Sequence, residues 1–315
     1  MSTQTKKINV IPYNPAWPKL FEEEASKIKE ALGDNGIAIY HIGSTAVPGL
    51  SAKPKIDILA VVKDPQKATK NLEAIGLKYA GEWSIPLQYG FKKRGDVNVN
   101  LHVYEEGHPD IELNLLFRNY LREHPKDREK YTHLKENLLK DESSLNKRNF
   151  DFAEYTIRKN AFISKILEKA GFNKVRMMIC LHDAEWEAAK KFRQKYYHPL
   201  SDPYTWTFNH PDHTHLVLYK GTKIVGYAHL QRWPKDRVVL RILVIDKPFR
   251  HQGLGGQFLA LIEKWLKAHG TKSLHTESSS EMCSFYKENG YKEMPFNDPE
   301  NYESHPQGIA MGKIL

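Results

Sequence analysis

The chain has 315 residues, of which 27% are charged and 40% hydrophobic, and a formal net charge of +9. That length exceeds one typical domain and implies two, each able to bury its own core, in a globular protein of ordinary composition without low-complexity stretches. No run reaches the ~20 apolar residues of a membrane helix, and Met1–Lys7 is not followed by an apolar signal segment, so a cytoplasmic protein with no membrane partner is expected.

In chain order, Ile37–Ile42 and Ile56–Val62 predict two strands, separated by Gly43-Ser44-Thr45-Ala46-Val47-Pro48-Gly49, a segment too rich in Gly, Pro and Ser to continue either. Strands follow near Gln88–Phe91 and at Val97–Tyr104, where Val97, Val99, Leu101 and Val103 alternate with period two. Pro109 then starts a helix carrying Leu113, Leu116, Phe117, Tyr120 and Leu121 at three- and four-residue steps. Further helices are predicted over Lys126–Lys140 and Phe150–Lys169, the last ended by Gly171. A new β pattern begins at Lys174, which places the boundary between domains 1–172 and 173–315. The second domain alternates strands (Leu216–Tyr219, Lys223–His229, Val238–Ile245, Ser273–Glu277) with helices (Ala184–Tyr196, Gly256–His269, Ser280–Asn289), and Lys220-Gly221-Thr222 closes a hairpin.

Within the first domain, Val10–Pro18, His41–Leu50, Lys53–Ile58 and Arg118–Arg122 together resemble the GrpB family, which is allied to nucleotidyltransferase-like folds. In such folds a Gly-Ser turn precedes a strand bearing two carboxylates, which hold Mg²⁺ against a triphosphate. Gly43, Ser44 and Asp57 fit that pattern, but position 59 is Leu, and His102 would have to replace the missing carboxylate. A binding pocket is therefore expected rather than nucleotidyl transfer. Lys53, Arg94, Arg118 and Arg122, if they converge, suit a phosphorylated or nucleotide ligand; the competing reading makes them solvated salt-bridge partners. The family also occurs joined to a dephospho-CoA kinase, an analogy that points to CoA or an adenine nucleotide.

In the second domain, Arg250-His251-Gln252-Gly253-Leu254-Gly255-Gly256 stands between the strand ending Leu243-Val244-Ile245 and a helix. A glycine turn at a helix start exposes unpaired N–H groups backed by the helix dipole, which suits a pyrophosphate; equally, it is a tight turn that packs well. The segment resembles the R/Q-x-x-G-x-G/A motif of the GNAT N-acetyltransferases, and Phe285-Tyr286-Lys287-Glu288-Asn289-Gly290-Tyr291 is similar to that family's F-Y-x-x-x-G-[FY] segment.

The resemblance implies acetyl-CoA as cofactor, a strand Arg241–Ile245 splayed from its neighbour to pair with the pantetheine arm, and Tyr286 as the acid that protonates the departing thiolate. His229, or Glu277 through water, is the candidate base. The fold class expected is α/β (α+β): a nucleotidyltransferase-like mixed sheet with C-terminal helices, then a GNAT mixed sheet flanked by helices.

The acceptor is a small-molecule or peptide amine of unread identity, facing loops that carry Tyr197, His198, Tyr204, Trp206 and Phe208. No metal site is expected, because His210, His213 and His215 lack a fixed partner. Cys180 and Cys283 are too few for a disulfide framework. The basic residues are scattered among acids, so nucleic acid is not the expected partner. Two alternatives remain open: a nucleotidyltransferase-type enzyme with a CoA-sensing C-terminal module, and a regulatory binding protein without either activity.

Overall fold

The structure is a computed structural model and describes residues 8–145, 154–234, 236–295 and 308–315. Its described residues divide into two compact units, one running through Trp83 and resuming over Leu87–Lys174, the other made of Ser84–Pro86 and Val175–Leu315. No helix among the described residues is long and apolar enough to cross a membrane.

The first unit opens with α1 (Trp17–Leu32), whose buried stripe of Trp17, Ala25, Ile28 and Leu32 includes one acid, Glu24. That carboxylate is satisfied by Lys93 at 2.7 Å and Lys27 at 2.8 Å, which is what allows it on the core side. Then come β1 (Gly36–Ile42), β2 (Ile56–Val62), α2 (Pro65–Ala74), β3 (Lys78–Gly81), β4 (Tyr89–Lys93) and β5 (Val99–Glu105). They form a five-stranded mixed sheet in the order β1-β2-β5-β4-β3, in which β2 and β5 run parallel.

The register sets Asp57 opposite Asn100 and Leu59 opposite His102. Ile58, Ala60, Val62, Leu101 and Val103 build the core with Ile28 and Leu72. Four helices follow: α3 (Pro109–Glu123), α4 (Pro125–Lys140), α5 (Glu154–Ile157) and α6 (Asn160–Lys169). Leu121 and Tyr131 pack with Val47 and Leu50 of the turn-rich loop. Of the helix expected over Phe150–Lys169, residues 150–153 lie outside the described residues and the remainder is split into α5 and α6.

The second unit comprises β6 (Val175–Ile179), α7 (Asp183–Tyr196), β7 (His213–Lys220), β8 (Lys223–Trp233), β9 (Arg237–Ile245), α8 (Leu254–Ala268), β10 (Ser273–Ser278), α9 (Cys283–Glu288), β11 (Lys292–Glu293) and β12 (Ile309–Ile314). The seven-stranded sheet has the order β11-β12-β10-β9-β8-β7-β6, antiparallel except for β9 beside β10. The β7–β8 hairpin turns between Lys220 and Lys223, as its Gly221 predicts. On one face Phe192 and Ala189 of α7 cover Val217, Tyr227, Ile242 and Val244.

Candidate active site

β9 and β10 pair only over Arg237–Val239 against Ser273–His275. Beyond that point β10 keeps pairing with β12 as far as Ser278, and β9 keeps pairing with β8 as far as Ile245. The two parallel strands therefore part and leave one edge of Leu240–Ile245 open. A register shift on β9 opposite His229/Leu230 marks the start of the opening. There the Thr276 hydroxyl donates to the Leu240 carbonyl at 2.9 Å, so a side chain replaces the rung that the ladder lacks. Farther along, the Leu243 carbonyl accepts the Tyr197 hydroxyl at 3.4 Å.

At the end of this open edge lies the glycine turn. Arg250 Nε donates to the Ile245 carbonyl at 2.9 Å and ties the turn to β9. Gln252 accepts from Lys220 at 2.9 Å. His251 and Gly253 have φ of +58° and +72°, and only the second is glycine, so the turn stores strain at His251. Gly253 is the N-cap of α8 and no side chain caps the helix, which leaves the first amides of Leu254, Gly255 and Gly256 directed outward. A Cβ on Gly253 would meet nothing nearer than Gln257 at 3.8 Å.

Gly255, unlike Gly253, has a packing role. A Cβ there would press on the Phe285 ring at 3.3 Å, and one on Gly256 on Asn289 at 3.2 Å. These two glycines seat α8 against α9. This turn and open edge fit an acyl-CoA: N–H groups at a helix start for its pyrophosphate and a free strand edge for its pantetheine.

Tyr286 on α9 is buried at the opening, where Thr276 is its hydrogen-bonding partner, and burial pushes its hydroxyl up to about 12. Glu277 is half-buried, and strand alternation places it on the opposite face of β10 from Thr276. His229 is a correction to the sequence reading. Its side chain has no exposed surface, and burial followed by the charge of Arg193 holds it well below 6.5. Arg193, itself fully buried and gripped by Asp202 at 2.6 and 2.9 Å, lies 3.4 Å from His229 Nδ1. Arginine only donates, so Nδ1 accepts and Nε2 carries the proton, which points to His213 Nδ1 at 2.8 Å. Both nitrogens are occupied, and His229 is a structural group in a buried polar chain rather than a base.

That chain backs a cleft of about 840 Å³ between α7 and residues 198–209. Trp186, Trp206 and Phe208 supply its aromatic walls, and Asp183, Glu187 and Asp202 its acids. Trp206 also packs edge-on against His213 at 5.3 Å, joining the cleft to the Arg193–His229–His213 chain.

In the first unit the predicted residues separate into distinct groups. Gly43 has φ +70°, and a Cβ there would sit 2.7 Å from Asp57 Oδ2, so the turn can lie on the carboxylate only as glycine. Asp57 Oδ1 accepts from Asn100 at 3.0 Å, and Asn100 Oδ1 accepts from Arg94 at 2.9 Å. Arg94 also donates to the Lys93 and Val99 carbonyls, each at 2.7 Å. His102, beside Leu59, meets Gln88 at 3.2 Å, and its ring is held low by burial. Leu59 is fully buried.

Arg118 donates to the His41 carbonyl at 2.8 Å and Arg122 to the Ala46 carbonyl at 2.9 Å, both beside a cleft of about 290 Å³. The cleft brings Arg118 and Arg122 together, each with one donor spent on a backbone carbonyl, but not Lys53 or Arg94, so the four cations do not line one pocket. Among the described residues no group of three His, Cys, Asp or Glu side chains is placed to hold a metal ion.

Parallel strands parting beside a glycine turn at a helix start characterise the GNAT acetyltransferase class, and residues 179–291 match the model of the Acetyltransferase (GNAT) family. Residues 7–169 match the GrpB protein family, just over half of the chain, and the chain belongs to the GrpB family, with the GNAT domain following. A UPF0157 protein of Halalkalibacterium halodurans is 35% identical over 166 residues, covering 52% of this chain and 82% of that protein. The crystal structure of conserved protein GrpB from Enterococcus faecalis has 36% identity and a TM-score of 0.46 and covers 51% of this chain and 96% of its own. That of a putative N-acetyltransferase from Lactobacillus plantarum has 18% identity and a TM-score of 0.38, covering 45% and 99%.

Proposed function

We propose that the second unit transfers an acetyl group from acetyl-CoA to an amine. The carrying observation is the parting of β9 from β10 after Val239, with the uncapped start of α8 at its end. Acetyl-CoA supplies the activated thioester. The open edge at Leu243, Val244 and Ile245 holds the pantetheine arm, and its N–H groups polarise the thioester carbonyl. Arg250, His251, Gln252, Gly253 and Leu254 shape the turn that receives the pyrophosphate.

Tyr286 stays protonated throughout the neutral range, since burial pushes it up to about 12. A free thiol titrates near 8.5, so full transfer from Tyr286 is uphill by about 5 kcal/mol until its surroundings change. Its first role is then a hydrogen bond to the departing sulfur, with proton transfer completing as the carbon–sulfur bond opens. The amine loses its proton to water, with Glu277 as the receiving carboxylate on the other face of β10. Positioning supplies most of the acceleration, for which effective molarities of ~10⁵ M are available.

The cleft of Trp186, Trp206 and Phe208 is the entry for the acceptor, a small-molecule or peptide amine. The first unit binds an anionic or nucleotide-like ligand, or helps to select the acceptor; the missing second carboxylate at Leu59 favours binding over nucleotidyl transfer. The test is release of the CoA thiol from acetyl-CoA by the full chain across a panel of amines. Release that needs both an amine and an intact Tyr286 supports the reading, and the absence of release with every amine speaks against it.

A further inference from the structure

We infer that the first unit carries a binding site for phosphate esters or polyphosphates built from Ser44, Lys53, Lys135 and Lys159 around the ring of Tyr155. The inference deepens the anionic-ligand reading above and rests on it, keeping Ser44 and Lys53 and adding Lys135, Lys159 and Tyr155 in place of the arginines. Lys53 Nζ lies 4.6 Å and Lys159 Nζ 4.9 Å from the centroid of the Tyr155 ring, so two ammonium groups share one buried ring. Lys135 Nζ reaches the same loop from α4: it is 3.4 Å from Ser44 Oγ, also donates to the Ser51 carbonyl, and stands 4.7 Å over the Tyr131 ring.

Lys135 is only 2% exposed, yet its acceptors are a hydroxyl and a carbonyl, both neutral. The contrast with other lysines of this unit is direct. Lys93 pairs with Glu24 and Lys169 with Asp127, each at 2.7 Å, whereas no ion pair joins Lys53, Lys135 or Lys159 among the described residues.

The three cations also act on one another. Burial brings Lys135 down to about 7 and both Lys53 and Lys159 to about 8. The charge of Lys159 lowers Lys135, that of Lys53 lowers Lys159, and Lys55 lowers both Lys53 and Lys159. Asp57 opposes the shift at Lys53 and Lys159, and Glu136 at Lys135.

A packing role does not account for this arrangement, because a buried ammonium without a counter-charge is costly and an apolar chain of similar length fills the same space. A multiply charged oxyanion supplies the missing charge. Ser44, next to Gly43, accepts from Lys135 at 3.4 Å and is hydrogen-bonded to the Tyr131 hydroxyl, so its oxygen stands among the same groups. Compact ammonium charges without an arginine fork or a set of metal ligands suit phosphate oxygens, and both lysines already lie over the Tyr155 ring that a base would need for stacking.

The experiment is calorimetry of pyrophosphate and ATP, without Mg²⁺, on the full chain and on a double variant, Lys53→Gln with Lys159→Gln. Both positions are half-buried, so the variant is expected to fold, and its acetyl-CoA affinity, measured alongside, is expected to be unchanged. The wild type should bind pyrophosphate and the variant should lose at least tenfold in affinity; tighter binding of ATP would identify a nucleotide as the source of the phosphate. Binding by the wild type that survives both substitutions overturns the lysine site and leaves the anionic-ligand reading intact. If the wild type binds neither pyrophosphate nor ATP, both fall.

Discussion

Replacing Gly253 by valine separates what the backbone needs from what the cofactor needs. Gly253 has φ +72°, where an L-residue costs about 1–2 kcal/mol, and a β-branched one sits toward the upper end. Space adds little to that cost, since a Cβ meets only Gln257 at 3.8 Å. Gly253→Val should therefore fold with a loss of about 2 kcal/mol, readable as a shift of the urea midpoint. Its side chain would stand in front of the amides of Leu254, Gly255 and Gly256, and acetyl-CoA affinity should drop at least tenfold, about 1.4 kcal/mol. Gly253→Ala shares most of the backbone strain with far less bulk and should lose less affinity than stability. Calorimetry giving wild-type affinity for a folded Gly253→Val protein would refute the pyrophosphate assignment.

Tyr286→Phe keeps the ring and removes the hydroxyl, so acetyl-CoA should still bind while turnover falls about 10²-fold; an unchanged turnover number would assign the sulfur's proton to another group. Asp57→Asn preserves the side chain's size beside Gly43, and acetylation of a free amine should be nearly unaffected. ATP with Mg²⁺ should yield no pyrophosphate, and Asp57-dependent release would restore the nucleotidyltransferase alternative. Lys135 titrates in the fold near 7 instead of 10.5, so its protonation opposes folding fully below about pH 7 and the penalty fades as pH rises toward 10.5. Lys135→Met should accordingly stabilise the protein more at pH 6 than at pH 10, by about 2–4 kcal/mol in urea unfolding. A pH-independent difference would contradict that environment for Lys135.

The glycine turn and the strand that leads into it were legible because their determinants are local. A strand, a glycine turn and a helix start fall within one window, and Tyr286 follows on the next helix. Individual roles within that window were less so: a sequence does not show that Gly255 faces Phe285 while Gly253 supplies a positive φ. His229 misleads for a related reason, since β8 is buried on both faces and period-two alternation cannot separate a site histidine from an interior one.

Arg118 and Arg122 lie near a glycine-rich loop, and each spends a donor on a neighbouring carbonyl, His41 of β1 and Ala46 of the loop, which no local pattern shows. Lys135 meets Ser44 across 91 residues of chain, and no local pattern reveals that meeting. The helix α1 is similarly obscured, because Glu24 occupies its buried stripe and one of the two lysines that make that placement tolerable, Lys93, lies far along the chain.

Amide hydrogen exchange with and without acetyl-CoA tests the central claim most directly. The account predicts slower exchange on binding at two segments, Arg241–Ile245 on the open edge of β9 and His251–Gly256 at the start of α8. Tight binding of acetyl-CoA with unchanged exchange at both segments would contradict it.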